Sequence, residues 1–210
     1  MRILMLAHDC NPDWPSLPVV GYKTCRALGA REDVQVVLAT HVRNKEAIER
    51  SDLEGVEVEY IDNEVVARPI YKLSKTLRGG ESVAWTLNVA LQYPSYLDFE
   101  RRVWRRFGSQ IRSGSFDIVH RLTPMSPTLP SPIASKLPVP FVIGPLNGGL
   151  RWPRGYQAEK TREREWLTHV REAHRYLPYY SSTYRRSAAI LAGFDHTIKD
   201  LPRHATSSGK

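Results

Sequence analysis

The sequence predicts an α/β fold: one doubly wound domain whose mainly parallel sheet is flanked by helices. Three observations predict it. Short apolar runs of strand length alternate with helical periodicity through the first sixty or so residues. A long amphipathic stretch follows, and the pattern then returns to short apolar runs. Proline and glycine gather where those later runs end, so the chain must turn sharply there.

The elements follow in order. Arg2-Ile-Leu-Met-Leu-Ala7 is apolar after its first residue and is bounded by a polar, proline-rich turn, as a buried strand should be. Residues 19–30 read as a helix, 34–40 as a second strand, 43–51 as a second helix and 56–61 as a third strand. In that third strand Val56 and Val58 alternate with Glu57 and Glu59, which places it near an edge. Residues 69–112 read as helical. There Phe99, Val103, Phe107 and Ile111 recur every fourth residue and form one apolar stripe, flanked by Arg101, Arg102, Arg105 and Arg106. Strands return at 116–120, 141–144 and 188–192. Eight of the 15 prolines lie between Pro124 and Pro153, where the chain must make non-helical turns at strand ends. The domain is expected to span 1–201, with 202–210 a polar tail or the start of an interdomain linker.

Composition narrows the class. Of 210 residues, 41% are hydrophobic and 25% charged, the balance of a soluble globular protein. A domain of this size buries roughly 70% of its unfolded surface without a covalent staple. Cys10 and Cys25 are the only cysteines, which rules out a disulfide scaffold and a four-cysteine zinc site. They form no Cys-x-x-Cys pair and fit a reducing compartment, so a cytoplasmic location is expected. The most apolar stretch, 137–150, is short and carries three prolines and three glycines, so it does not read as a membrane span.

Lysine and arginine number 30 against 22 acidic residues, a net charge of +8. The excess gathers in 100–112 and 151–186, both with helical patterning and with Trp104, Trp152 and Trp166 among the basic residues. Such segments fit docking on an anionic membrane surface at its inner face, or solvated helix faces whose aromatics pack inward. No nucleic-acid-binding motif accompanies the charge.

In doubly wound sheets ligands bind beyond the carboxyl ends of the strands, so the segments after the strands carry the candidate chemistry. The loop from His8 to Gly21 has one glycine and is too long for the Gly-x-Gly-x-x-Gly turn of a nicotinamide site. Gly21 near a helix start either lets backbone amides approach a phosphate or relieves packing between helix and strand. His120, in Phe116-Asp-Ile-Val-His-Arg-Leu-Thr123, either bonds a substrate hydroxyl or phosphate or is a satisfied polar side chain. Phe141-Val-Ile-Gly-Pro-Leu-Asn-Gly-Gly149 opens from an apolar strand into Asn147, Gly148 and Gly149, a turn that allows close backbone approach at the functional edge. The seven histidines are scattered, and no metal-ligand spacing, nucleophile elbow or Walker A loop is present.

These landmarks, taken in order, resemble the N-terminal domain of group 1 glycosyltransferases, the retaining family 4 enzymes of GT-B fold. Met1–Ala7 resembles their opening strand, and Ser16-Leu-Pro-Val-Val-Gly-Tyr22 their glycine-containing loop. Phe116–Thr123 resembles the Asp-Ile-Val-His strand. Residues 138–149 resemble the Pro-Phe-Val-x-Gly-Pro-x-Gly-Gly segment of one branch, and 187–192 the domain's last strand. The resemblance implies a Rossmann-like domain, one half of a GT-B fold, serving transfer of a hexose from a nucleotide-sugar donor to a sugar or lipid-linked acceptor with retention and without a metal or other cofactor. It implies a diphosphate contact at Gly21, an acceptor cleft at Thr123, Asn147, Gly148 and Gly149, and a catalytic contact from His120.

The sequence departs from the family in three places. Leu122 stands where a second histidine often lies, and Pro18-Val-Val-Gly21 lacks one glycine of the branch's loop. The family's second domain, which binds the nucleotide and carries a pair of glutamates, has no counterpart here, so the chain alone is expected to be inactive. The alternatives are a non-catalytic domain that binds a sugar, phosphate or protein, and half of a GT-B sugar-nucleotide epimerase.

Overall fold

A central strand paired on both edges must be apolar on both faces, and Arg2–Ala7 (β1) meets that demand: from Leu4 onward every residue is fully buried. The computed structural model describes residues 1–51, 53–76, 81–148 and 174–202. Gly149, most of the basic stretch 151–186 and the tail from 203 lie outside the described residues.

After β1 come α1 (Leu17–Gly29), β2 (Gln35–His41), a 3₁₀ turn at Val42–Asn44, α2 (Lys45–Ser51), β3 (Val56–Ile61), α3 (Glu64–Thr76) and α4 (Glu81–Arg112). Then follow β4 (Ile118–Thr123), a 3₁₀ turn at Pro132–Lys136, β5 (Phe141–Leu146), α5 (Tyr180–Arg186), β6 (Ser187–Ala192) and α6 (Asp195–Asp200). The six strands form one sheet in the order β3-β2-β1-β4-β5-β6, parallel throughout. This is a Rossmann-like α/β domain. The direction of winding reverses between β1 and β4, and a crevice at such a reversal is where these sheets take ligands.

Two differences from the expected elements bear on the site. β4 ends at Thr123, three residues beyond the expected end, because His120 and Arg121 are buried polar residues that continue the strand. The expected single helical region from 69 comprises α3, which starts earlier, at Glu64, and α4. The start of α3 is fixed by Asp62, whose carboxylate accepts the Glu64 N–H at 2.9 Å.

α4 covers one face of the sheet. Phe99, Val103, Phe107 and Ile111 are all buried and pack in one cluster with Leu4, Leu6, Val37, Val119 and Phe141. α1 covers the other face, where Tyr22 and Cys25 join Ile3, Met5, Val36, Leu38 and Leu122. β3 lies at the edge, as its alternation predicts. No helix among the described residues is long and apolar enough to cross a membrane. Because Phe99 is wholly enclosed, Phe99→Ala is expected to cost about 3–5 kcal/mol. Exposed Val65→Ala is expected to stay within about 0.5 kcal/mol. Urea unfolding of the two variants measures both.

Candidate functional site

At the reversal, β1 hands over to a loop that the end of β4 grips directly. The Asp9 N–H donates to Thr123 Oγ1 and the Thr123 hydroxyl donates to the Asp9 carbonyl, each at 3.0 Å. Gly21 lies one turn inside α1, buried against this junction. A Cβ there would stand 2.8 Å from the Asp9 carbonyl oxygen and 3.4 Å from the Thr123 methyl, so the close approach of α1 to the sheet requires glycine. The chain enters α1 through Ser16 at φ 69°, a strained conformation costing about 1–3 kcal/mol of the kind that gathers at functional loops.

His120 faces β5 from inside β4. Its Nε2 lies 2.6 Å from the Gly144 carbonyl oxygen, and burial lowers its pKa although that bond works the other way. Gly144 takes φ +116°, and a Cβ there would fall 2.2 Å from the Leu191 carbonyl oxygen, so β5 and β6 meet through a residue that must be glycine. Beyond β5, the Asn147 N–H donates to the Met125 carbonyl at 2.8 Å. Thr197 of α6 donates to the Gly148 carbonyl at 2.9 Å. The fold thus gathers Gly21 and Thr123 at the β1–β4 reversal, and Asn147 and Gly148 beside the loop that leaves β4. His120 sits one layer deeper.

Two polar groupings on the α4 face escaped the sequence reading. The first is buried under the β4 exit. Arg121 has no exposed surface. It donates to the Leu129 carbonyl at 2.6 Å and the Ser126 carbonyl at 3.2 Å, with its guanidinium 5.9 Å from the Tyr96 ring. Glu100 of α4 accepts from the Tyr96 and Ser131 hydroxyls and from the Ile133 N–H. Burial raises its pKa, while those three donors and the Arg121 charge oppose the rise. The Tyr184 hydroxyl donates to the Pro127 carbonyl. The loop from Pro124 to Ser131 is therefore held at four points by side chains from three elements. Glu100 could have been noticed as the lone acid on the line between Tyr96 and Val103. Arg121 carried no signal beyond its place next to His120.

The second grouping caps β1, β2 and β3. His8 Nδ1 lies 3.1 Å from Asp9 Oδ1. Burial would raise the Asp9 pKa, but the charge and hydrogen bond of His8, then His41 and Arg43, hold it below the usual value. His41 closes β2, accepts the Arg43 N–H on Nδ1 at 3.1 Å, and lies 3.8 Å through Nε2 from Glu64. Arg43 grips the Glu64 carboxylate with two nitrogens. His8, Asp9 and His41 end or closely follow an apolar run, and that is the signal which could have found them.

Of the four arginines flanking the α4 stripe, Arg102 pairs with Asp98 and Arg106 with Glu59, while Arg101 and Arg105 are exposed.

Removing the buried guanidinium strands the Leu129 and Ser126 carbonyls and takes a positive charge away from the buried Glu100 carboxyl. Arg121→Met is therefore expected to cost about 3–5 kcal/mol, against about 0.5 kcal/mol or less for exposed Arg101→Met, by urea unfolding. His41 supplies a pH signature. Burial, then the charges of His8 and Arg43, push its pKa from 6.5 down to about 4, although Glu64 and Asn63 favour the charged ring. The unfolded chain binds this proton more tightly, so the contribution is full above pH 6.5 and is lost as pH falls to 4, by about 3 kcal/mol. Stability measured across that window should fall in the native chain, and His41→Gln should remove this part of the fall.

No protein-family model matches the chain, and no curated protein matches it.

Proposed function

We propose that these residues form the acceptor-side half of a retaining glycosyltransferase of GT-B layout, which moves a hexose from a nucleotide-sugar donor to a hydroxyl-bearing acceptor. One observation carries the reading. Loops that lie far apart in sequence, and that resemble that family's functional loops, converge at the carboxyl edge beside the β1–β4 reversal through the Asp9–Thr123 and Asn147–Met125 bonds.

In such a transfer the departing diphosphate gathers negative charge, and fixed dipoles stabilise it without reorganisation. The amino end of α1 supplies the positive end of a helix dipole beside Gly21. Asn147 and Gly148 would line the acceptor side. His120, with Nε2 committed to Gly144, would act by setting the exit of β5 or through its other ring nitrogen. The exposed Arg101 and Arg105 suit an acceptor presented at an anionic membrane surface. One sheet edge provides only one wall of a water-poor cleft, so these 210 residues alone are proposed not to turn over.

The test is an assay of the gene product at its natural length with a panel of nucleotide hexoses. Slow donor hydrolysis, and transfer with the anomeric configuration kept, are expected, with no sustained turnover by the 210 residues alone. Absence of both reactions in the natural-length product, or inversion at the anomeric carbon, overturns the reading.

A further inference from the structure

The charge of this chain is divided along its length. Residues 1–100 carry 15 acidic residues against 11 basic ones, whereas among the described residues from 101 to 192 ten basic residues stand against a single acidic one, Asp117. The Asp117 carboxylate is taken by the Arg2 N–H at 2.6 Å. Such asymmetry between the two parts of a domain is the footprint of an anionic partner.

The fold collects the excess on one layer. α4, the 3₁₀ turn at Pro132–Lys136 and α5 pack on one cluster over the same face of the sheet, with the turn against both helices. Every strand runs the same way, so the end of α4 before β4, the turn before β5 and the end of α5 before β6 stand side by side at the amino edge. They bring Arg112, Lys136, Arg185 and Arg186 there, all exposed. Arg101 and Arg105 are exposed too, and the spacing 101, 105, 112 keeps them on one side of α4 with Arg112. None of these six cations makes an ion pair among the described residues, in contrast to Arg102 and Arg106, which Asp98 and Glu59 neutralise.

Trp104 sits among them. Its ring lies over Gly108, where an added Cβ would come 3.1 Å from two indole atoms, and the Arg112 and Lys136 head groups stand 5.3 and 5.7 Å from its centre. Tyr176 and Tyr179, 89% and 47% exposed, lead into α5 on the same layer. Tryptophan, tyrosine and long cationic side chains suit the headgroup level of a bilayer, where a ring keeps one end dry and a guanidinium reaches a phosphate. A nucleic-acid groove is entered by one helix or ribbon, whereas these cations are spread over three elements.

We propose that the outer side of α4, the 3₁₀ turn and α5 docks the domain on an anionic lipid bilayer, with Arg101, Arg105, Arg112, Lys136, Arg185 and Arg186 against headgroup phosphates and Trp104 among them. The docking stands on the charge distribution; its use in presenting a lipid-linked acceptor to the crevice rests on the transferase reading.

The test is sedimentation of the 210-residue chain with vesicles of phosphatidylcholine alone and of phosphatidylcholine with about 30% phosphatidylglycerol. The expected result is binding to the anionic vesicles only, weakened at least about tenfold as salt rises from about 0.1 M to about 0.5 M and the Debye length shrinks. Each cation near such a surface is worth roughly fivefold in affinity, so Arg101→Gln together with Arg105→Gln should weaken binding about 25-fold. Lys23→Gln together with Arg26→Gln removes the same charge from exposed positions on α1, over the opposite face of the sheet, and should weaken it less than about threefold. Equal binding to both vesicles, binding to neither, or equal losses from the two pairs of substitutions overturns the proposal. So does a DNA duplex bound in place of the vesicles at about 0.15 M salt. A natural-length product that docks but neither hydrolyses nor transfers leaves the docking intact and removes the transferase reading. One that transfers its hexose but ignores both vesicles does the reverse.

Discussion

The packing of α4 across one face of the sheet is the constraint on which the polar edge depends. Its stripe from Phe99 to Ile111 is buried against β1, β2, β4 and β5, and that contact fixes the helix in both position and rotation. Once it is fixed, the turn just before the stripe must lie over the carboxyl ends of the strands. Tyr96, Phe99 and Glu100 reach that end together, where Tyr96 and Phe99 meet His8 and Glu100 meets the loop after β4. A rotation of α4 by one residue would leave Arg121 without its aromatic neighbour and Glu100 without its donors. Hydrophobic burial thus sets the address of a group of polar side chains that would be costly to bury anywhere else.

Those polar groups are used in two different ways. Around Arg121 and Glu100 nearly every donor finds an acceptor, and the product is a loop held rigidly at the edge of the crevice. Around His8 and His41 the pairing is looser: His8 faces the Asp9 carboxylate, His41 accepts the Arg43 N–H, and the His41 and Asn63 side chains lie against each other. A fully satisfied network gives rigidity. Both stand against α4, through Tyr96 and Phe99 for one and Glu100 for the other.

Much of this architecture is legible in the sequence because burial leaves a period. β1, β3 and the α4 stripe read directly, as does the edge position of β3. The end of β4 does not, since His120-Arg121 looks like a polar exit and is instead buried, each side chain with a carbonyl to bond. The start of α3 hides behind Pro69, a residue that ordinarily opens a helix rather than standing inside one. Of the site, the sequence marks the loops, because glycine and proline punctuate them. It does not mark which side chains meet, because His8, His41 and Asn63 come together only through strand order, and strand order has no local signature. Gly21 and Thr123 stand out as single residues; their joint hold on Asp9 is a property of the fold.

The edge position of β3 has a consequence for how this chain behaves in a crowd. A terminal strand offers its outer backbone as a template on which another chain can extend the sheet, the opening step of aggregation. The carboxylates of Glu57 and Glu59 project from that strand, and each is held by an arginine from elsewhere, Arg2 and Arg106. A foreign strand settling there would have to desolvate these ion pairs or break them. The alternation that reveals β3 as a border strand is therefore also its guard: the charges that mark where the sheet stops make it hard to continue.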